Sequence, residues 1–127
     1  MGKTATRFAL ACGLMMVCTP LFAHHGNSAY DLSKTVTMKV TITKFEWSNP
    51  HTQVYFDSTD DKGNVVHWVA ETTNPAMLAR VGWSRDTLKA GDQVTAVVNP
   101  NKAGVGIVYL EKVVLANGQE LGTQKAF

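Results

Sequence analysis

The chain has only two cysteines, Cys12 and Cys18, and both lie near its start. Everything downstream of Cys18 must fold without a disulfide and without a cysteine nucleophile or thiolate metal ligand. An excess of one charge sign is also missing: twelve Lys and Arg face ten Asp and Glu. Two of those basic residues, Lys3 and Arg7, sit in the first seven positions, and without them the counts are equal. Such a chain has no electrostatic footprint for nucleic acid or for an anionic membrane surface. Its main apolar run, around Phe8 to Val17, falls short of the roughly 20 residues that cross a bilayer as a helix. The motif spacings of common enzymes are absent as well. There is no G-x-S-x-G, no glycine-rich phosphate loop and no H-E-x-x-H. These absences lean against an enzyme and toward a binding module.

What the N-terminus does contain is ordered. Lys3 and Arg7 come first, then the apolar stretch, then Thr19-Pro20-Leu21-Phe22-Ala23 with a small residue last. That is the charged, apolar and cleavage-site order of a secretory signal peptide. We expect residues 1–23 to be removed and the protein to work in the periplasm, with no stable membrane insertion afterwards. The competing lipoprotein reading, with lipid on Cys18, lacks the small residues that processing prefers, because Met15-Met16-Val17 precede it. Removing 23 residues from 127 leaves 104, enough for one domain, 24–127, with a small core.

The mature chain reads as mostly β. Residues 24–33 are polar and form an N-terminal arm. Thr35 to Trp47 alternates Val36, Met38, Val40 and Ile42 with Thr37, Lys39 and Thr41, the pattern of a half-buried strand. The alternation slips at Thr43-Lys44, so a bulge and a bend are expected there. Ser48-Asn49-Pro50 breaks the strand. A hairpin follows: a second strand from Thr52 to Asp57, a turn over Asp60 to Asn64, and a third strand from Val65 to Glu71. Asn74-Pro75 opens a short helix to Val81, with Asn as cap, Pro in the first turn and Gly82 as the stop, burying Met77, Leu78 and Val81. Fourth and fifth strands run from Gln93 to Asn99 and from Gly106 to Leu115. Three strands, a helix and two strands suit a five-stranded OB-like β-barrel with its helix between strands three and four; a small β-sandwich is the runner-up.

Cleavage after Ala23 would expose His24-His25. A free amine and the imidazole of the same residue form a chelate of nitrogen donors, a set that suits Cu(II). His25 would add its imidazole. Centring the hairpin turn near Asp61 puts Tyr55 opposite His67 and His51 opposite Glu71, to within two residues of register, with Val54, Phe56, Val66, Trp68 and Ala70 turned inward together. His51, Gln53, Tyr55, His67, Val69 and Glu71 then share the outer face. We therefore expect His24, His25, His51 and Glu71 as metal ligands, and Trp47, Tyr55 and His67 on a ligand face. The bland alternatives are exposed terminal histidines, an ordinary polar sheet face, and tryptophans (Trp47, Trp68, Trp83) that serve only as core. Asp31 is expected to cap a turn.

Several blocks together resemble a family of small exported bacterial proteins known as a domain of unknown function. They are His24-His25-Gly26, Tyr30-Asp31, Phe45 to His51 with its W-x-N-P-H pattern, Trp68 with Glu71, Arg80-Val81-Gly82-Trp83 with Leu88 and Gly91-Asp92, and Asn99-Pro100. The resemblance covers nearly all of the mature chain and implies export and a common small β fold. Members usually begin His-His-Ser, and Gly26 stands in place of that serine here. The resemblance implies no activity. The expectation is thus an exported barrel that binds a small ligand, Cu(II) first; the alternative is a metal-free module that contacts an envelope protein or glycan.

Overall fold

The computed structural model describes residues 29–104 and 106–123. Within them the order is β1 (Val36–Glu46), β2 (Gln53–Thr59), β3 (Val65–Glu71), α1 (Pro75–Arg80), β4 (Gln93–Pro100), β5 (Ile107–Val114) and β6 (Glu120–Gly122). The strands form one sheet in the order β3-β2-β1-β4-β5-β6, and a parallel pairing of β3 with β5 closes the first five into a barrel. This is the OB-like arrangement expected, with α1 between β3 and β4. The sixth strand is an addition: the segment after Asn117-Gly118 returns along β5, pairing Val113 with Leu121.

β1 is long because it serves two neighbours. Val36 to Thr41 pair with β4, and Thr41 to Glu46 pair with β2. The ladder with β2 shifts between Ile42 and Lys44, where the apolar alternation slips. One extra residue bends the strand and lets a single chain turn the barrel's corner. Val40 and Ile42 precede the bulge on the inner face, and Phe45 and Trp47 continue that face after it.

The core is aliphatic with one central ring, Phe56, and it is closed by residues outside the strands. Leu78 of α1, Trp83 and Leu88 are all buried. Asn74 caps α1 by accepting the Met77 N–H at 3.0 Å. Only Leu78 of this helix is fully buried; Met77 and Val81, expected to join it, are half-buried. A helix of six residues has fewer than two turns, so it presents one residue squarely to the core. Trp83 donates its indole N–H to the Gly122 carbonyl at 2.9 Å, which ties β6 to the plug.

One further expectation is sharpened and one is corrected. β2 and β3 pair Gln53 with Glu71, Tyr55 with Val69 and Asp57 with His67, two residues from the central register expected and within the two-residue margin given for it. The reason lies in the turn. Gly63 adopts φ +84° and donates to Asp60 O, and Asp60 N bonds Asn64 O, so the hairpin centres on Lys62. A type I turn closed by a left-handed glycine sets that register. A shift of two keeps every side chain on its expected face. Secondly, Val66 and Trp68 are half-buried, although Val54, Phe56 and Ala70 are buried as expected. β5 covers only Val69 to Glu71 of β3, so the first half of β3 is a free edge and its inward side chains stay partly wet.

Candidate ligand site at the root of the hairpin

The chain leaves the barrel at the end of β3, and two consecutive residues there hold two distant parts of the molecule. Glu71 Oε2 accepts the Tyr30 hydroxyl at 2.6 Å. The Thr72 carbonyl lies 3.2 Å from His51 Nδ1. Beyond the regular ladder, Thr72 N donates to Thr52 O and Thr52 N to Thr73 O, both at 3.0 Å. These bonds keep His51 beside β3 although it lies outside β2. Gln53 is the direct partner of Glu71, which makes His51 its diagonal neighbour. Such neighbours are about 7–8 Å apart.

The His51 contact fixes more than position. A backbone carbonyl only accepts, so Nδ1 must carry the proton in this bond. The neutral ring then keeps its lone pair on Nε2, and His51 is exposed. Histidines that ligate metals commonly have this arrangement, one ring nitrogen donating to a carbonyl while the other faces the ion.

Tyr30 brings the arm to the same place. It forms a bridge with Asn101, while Asp31 N donates to Pro100 O and Lys102 N to Ala29 O. The buried Asn99 amide donates to the Lys34 carbonyl at 2.8 Å. Asp31 closes the next turn through the Ser33 N–H and hydroxyl, the capping role expected of it. The Tyr30 ring packs on Tyr109, with centroids 5.7 Å apart, and Tyr109 is the direct partner of Glu71 across the barrel seam. Burial, then the hydrogen bond to Glu71, push the Tyr30 phenol well above its ordinary range; it stays protonated and donates. Burial also pushes Tyr109 up. Its hydroxyl lies near the Thr72 and Thr123 side chains, yet makes no hydrogen bond of ordinary geometry. The Thr52 and Thr72 hydroxyls are likewise buried and unpartnered.

The other expected site residues are dispersed. His67 bonds Asp57 through Nδ1 at 2.6 Å, in the half of the hairpin nearer the turn. Four residues of extended strand, about 13 Å, separate it from Glu71. Tyr55 lies on the outer face with its hydroxyl 2.8 Å from Gln53 Oε1 and 3.2 Å from Glu46 Oε2. Lys44 pairs with Glu46 and sits 5.2 Å from the Tyr55 ring centre. Lys44 accordingly holds Glu46 below the ordinary carboxylate range. Trp47 is on the inner side, packed against the core and edge-on to Phe45 at 5.9 Å. Trp47, Tyr55 and His67 therefore do not share one face. His24 and His25 lie outside the described residues. Among the described residues, no three His, Cys, Asp or Glu side chains are grouped to hold a metal ion. His51 and Glu71 would need donors from the arm.

Sequence reasoning passed over Tyr109 and Thr72, and quoted Tyr30 without a role. Two signals were present: a tyrosine inside an otherwise polar arm, and a single phenol in the aliphatic run Ile107 to Leu110. A separate groove of about 550 Å³ is lined by parts of β1 and β4 and the ends of β2 and β5. Its lining includes Lys39, Thr41, Asp57, Ser58, Gln93 and Thr95, and neither His51 nor Glu71.

The molecule is thus a small closed β-barrel of OB-like form, with Tyr30 packed on the seam where the barrel closes. The chain belongs to a family of unknown function, DUF6152, and the match spans residues 11–107. That span takes in His24, His25, Tyr30, His51 and Glu71, and stops at the start of β5. No curated protein matches the chain.

Proposed function

We propose that this protein is exported, loses residues 1–23 and acts in the periplasm as a binding module whose first ligand is Cu(II). His24 would supply amine and imidazole, His25 or His51 a further nitrogen, and Glu71 an oxygen that ligates or orients. The observation that carries this reading is His51, exposed with Nδ1 on a backbone carbonyl and Nε2 without a hydrogen bond to any described residue, beside β3 where Glu71 binds Tyr30. Reach supports it too. His24 is six residues from Tyr30, and six extended residues span up to about 20 Å.

The test is the Cu(II) affinity of protein whose first residue is His24, set against protein with one added N-terminal residue. The addition moves the free amine off His24 and leaves every side chain in place. It also puts His25 third, where backbone amides can bind Cu(II), so the electron paramagnetic resonance (EPR) spectra are compared as well. Weaker binding by the extended protein, and by His51→Ala, is the expected result. If the protein binds no better than a short His-His-Gly peptide and His51→Ala is silent, the metal reading fails. The groove lined by hydroxyl and amide groups then favours the second reading, a metal-free module for a polyhydroxylated envelope glycan or for a protein.

A further inference from the structure

We infer that the barrel seam beneath Tyr30 is a recognition site for an extended segment carrying a tyrosine. It is filled here by Ala29-Tyr30-Asp31 of the same chain and can take that segment from a second copy. The site needs no metal ion.

Segment and seam touch as a ligand strand touches its receptor. The Asp31 N–H donates to the Pro100 carbonyl at 2.9 Å, and the Lys102 N–H donates to the Ala29 carbonyl at 3.0 Å. These two bonds flank the antiparallel bridge of Tyr30 with Asn101. Addition of a strand to free backbone groups, with a side chain held in a pocket, is a common mode of peptide recognition. The pocketed side chain is Tyr30, only 6 % exposed. Its ring lies on Tyr109 at 5.7 Å and its hydroxyl donates to Glu71 at 2.6 Å. β3 and β5 pair directly and set Tyr109 beside Glu71, so the barrel builds the pocket without the segment. A carboxylate acceptor also selects tyrosine over phenylalanine, which has no hydroxyl to give it.

The segment is separable from β1. The turn between them is bonded within itself: the Lys34 N–H to the Asp31 carbonyl, and the Ser33 N–H and hydroxyl to Asp31 Oδ1. Beyond that turn β1 has its own anchors, Asn99 on the Lys34 carbonyl and Val36 beside Val98. Opening at Leu32 and Ser33, which lie outside any strand, carries the segment to the seam of a second copy and leaves both barrels whole. Reciprocal exchange of an identical element is a low-cost route to a dimer. Twelve basic against ten acidic residues give little repulsion between copies. The short tether gives the chain's own segment an effective concentration in the millimolar range, so the parent keeps its seam filled in cis.

The test has two parts, with every protein beginning at His24. In the first, Tyr30→Ala is titrated with an acetylated and amidated peptide of the sequence Ala29 to Lys34. Saturable shifts of the Lys102 and Tyr109 amide signals are expected by nuclear magnetic resonance. The same peptide with Phe in place of Tyr should bind about tenfold or more weakly. In the second, deletion of Leu32 and Ser33 keeps every residue of the seam and prevents the turn. That protein should sediment as a dimer, and as a monomer once Tyr30→Ala is added. If a folded Tyr30→Ala protein shows no shifts, or binds the Tyr and Phe peptides equally, the recognition site is overturned. A monomeric deletion protein overturns the second copy as occupant, and it decides alone if Tyr30→Ala does not fold.

Discussion

Each end of the β2–β3 hairpin carries a histidine with Nδ1 on an oxygen, and the two are held differently. Near the turn, His67 meets Asp57, ten residues away, at 2.6 Å with its side chain 82 % exposed. The Trp68 indole reaches Ser58 over the same short separation. At the root, His51 meets the Thr72 carbonyl across 21 residues, and Glu71 meets Tyr30 across 41. Near the turn, then, contacts are local and wet, and they follow from the hairpin alone. At the root they need the arm, the strand β5 and the helix entry together. A histidine bonded to an oxygen is therefore not a sign of a site by itself. The distance along the chain that its partners span, and their burial, separate the two ends.

The largest test of this contrast removes what both ends share. Phe56 is 1 % exposed and lies between them, opposite Trp68. Phe56→Ala should cost about 3–5 kcal/mol and loosen both ends alike in hydrogen exchange. Trp68→Ala should cost clearly less, because that ring is half-buried at the free edge, and its effect should stay near the turn. Equal losses by chemical denaturation would mean that β3 is covered along its whole length.

Next in size is the asymmetry between the histidines. On the metal reading, His51→Ala should lower Cu(II) affinity by tenfold or more, about 1.4 kcal/mol or above, whereas His67→Ala should leave it unchanged in the same titration. A matching loss from His67→Ala would erase the distinction between the ends. Smaller still is the helix entry. Asn74→Ala removes the cap of α1 and should cost about 1 kcal/mol. Faster amide exchange should appear at Thr72 and Thr73 and not at Val65 or Val66.

The smallest effect is at the turn and depends on pH. Asp60 accepts the Asn64 side-chain and backbone N–H groups and the Lys62 N–H. These bonds, that of the Asn64 side chain first, hold its carboxyl below the ordinary value. A group depressed in the folded state adds stability that is present above its unfolded pKa, about 3.9, and is lost as pH falls through the folded value. Asp60→Ala should therefore lower the unfolding temperature slightly at pH 7, and the difference from the parent should vanish in strong acid. A difference that persists there would assign the effect to turn geometry instead of charge.

Much of the fold was legible because it rests on local chemistry. Alternation marks the strands, Asn74-Pro75 marks the helix start, and the phase slip at Thr43-Lys44 marks the bulge. The hairpin register was legible only to within two residues, because sequence alone does not say which residue of Asp60 to Asn64 takes the left-handed conformation; Gly63 does. The burial of Trp68 was overestimated because no local pattern reveals how far β5 reaches along β3.

Of the candidate site, residue types were readable and assembly was not. Histidine and carboxylate on one face followed from a period of two, which a register shift of two preserves. That rule placed His51 near Glu71 and equally placed His67 and Tyr55 on that face, without telling which of them has buried, distant partners. By itself, then, the sequence determined the order of elements, the inward and outward faces and the turn chemistry, because each depends on neighbours a few residues apart. Only the tertiary structure decided that Tyr30 packs on Tyr109 at the β3–β5 seam, that Tyr30 grips Glu71, and that His51 Nδ1 meets the Thr72 carbonyl. Those contacts join segments from 21 residues apart, His51 with Thr72, to 79, Tyr30 with Tyr109, and form only once the barrel has closed and brought both sides of the seam together.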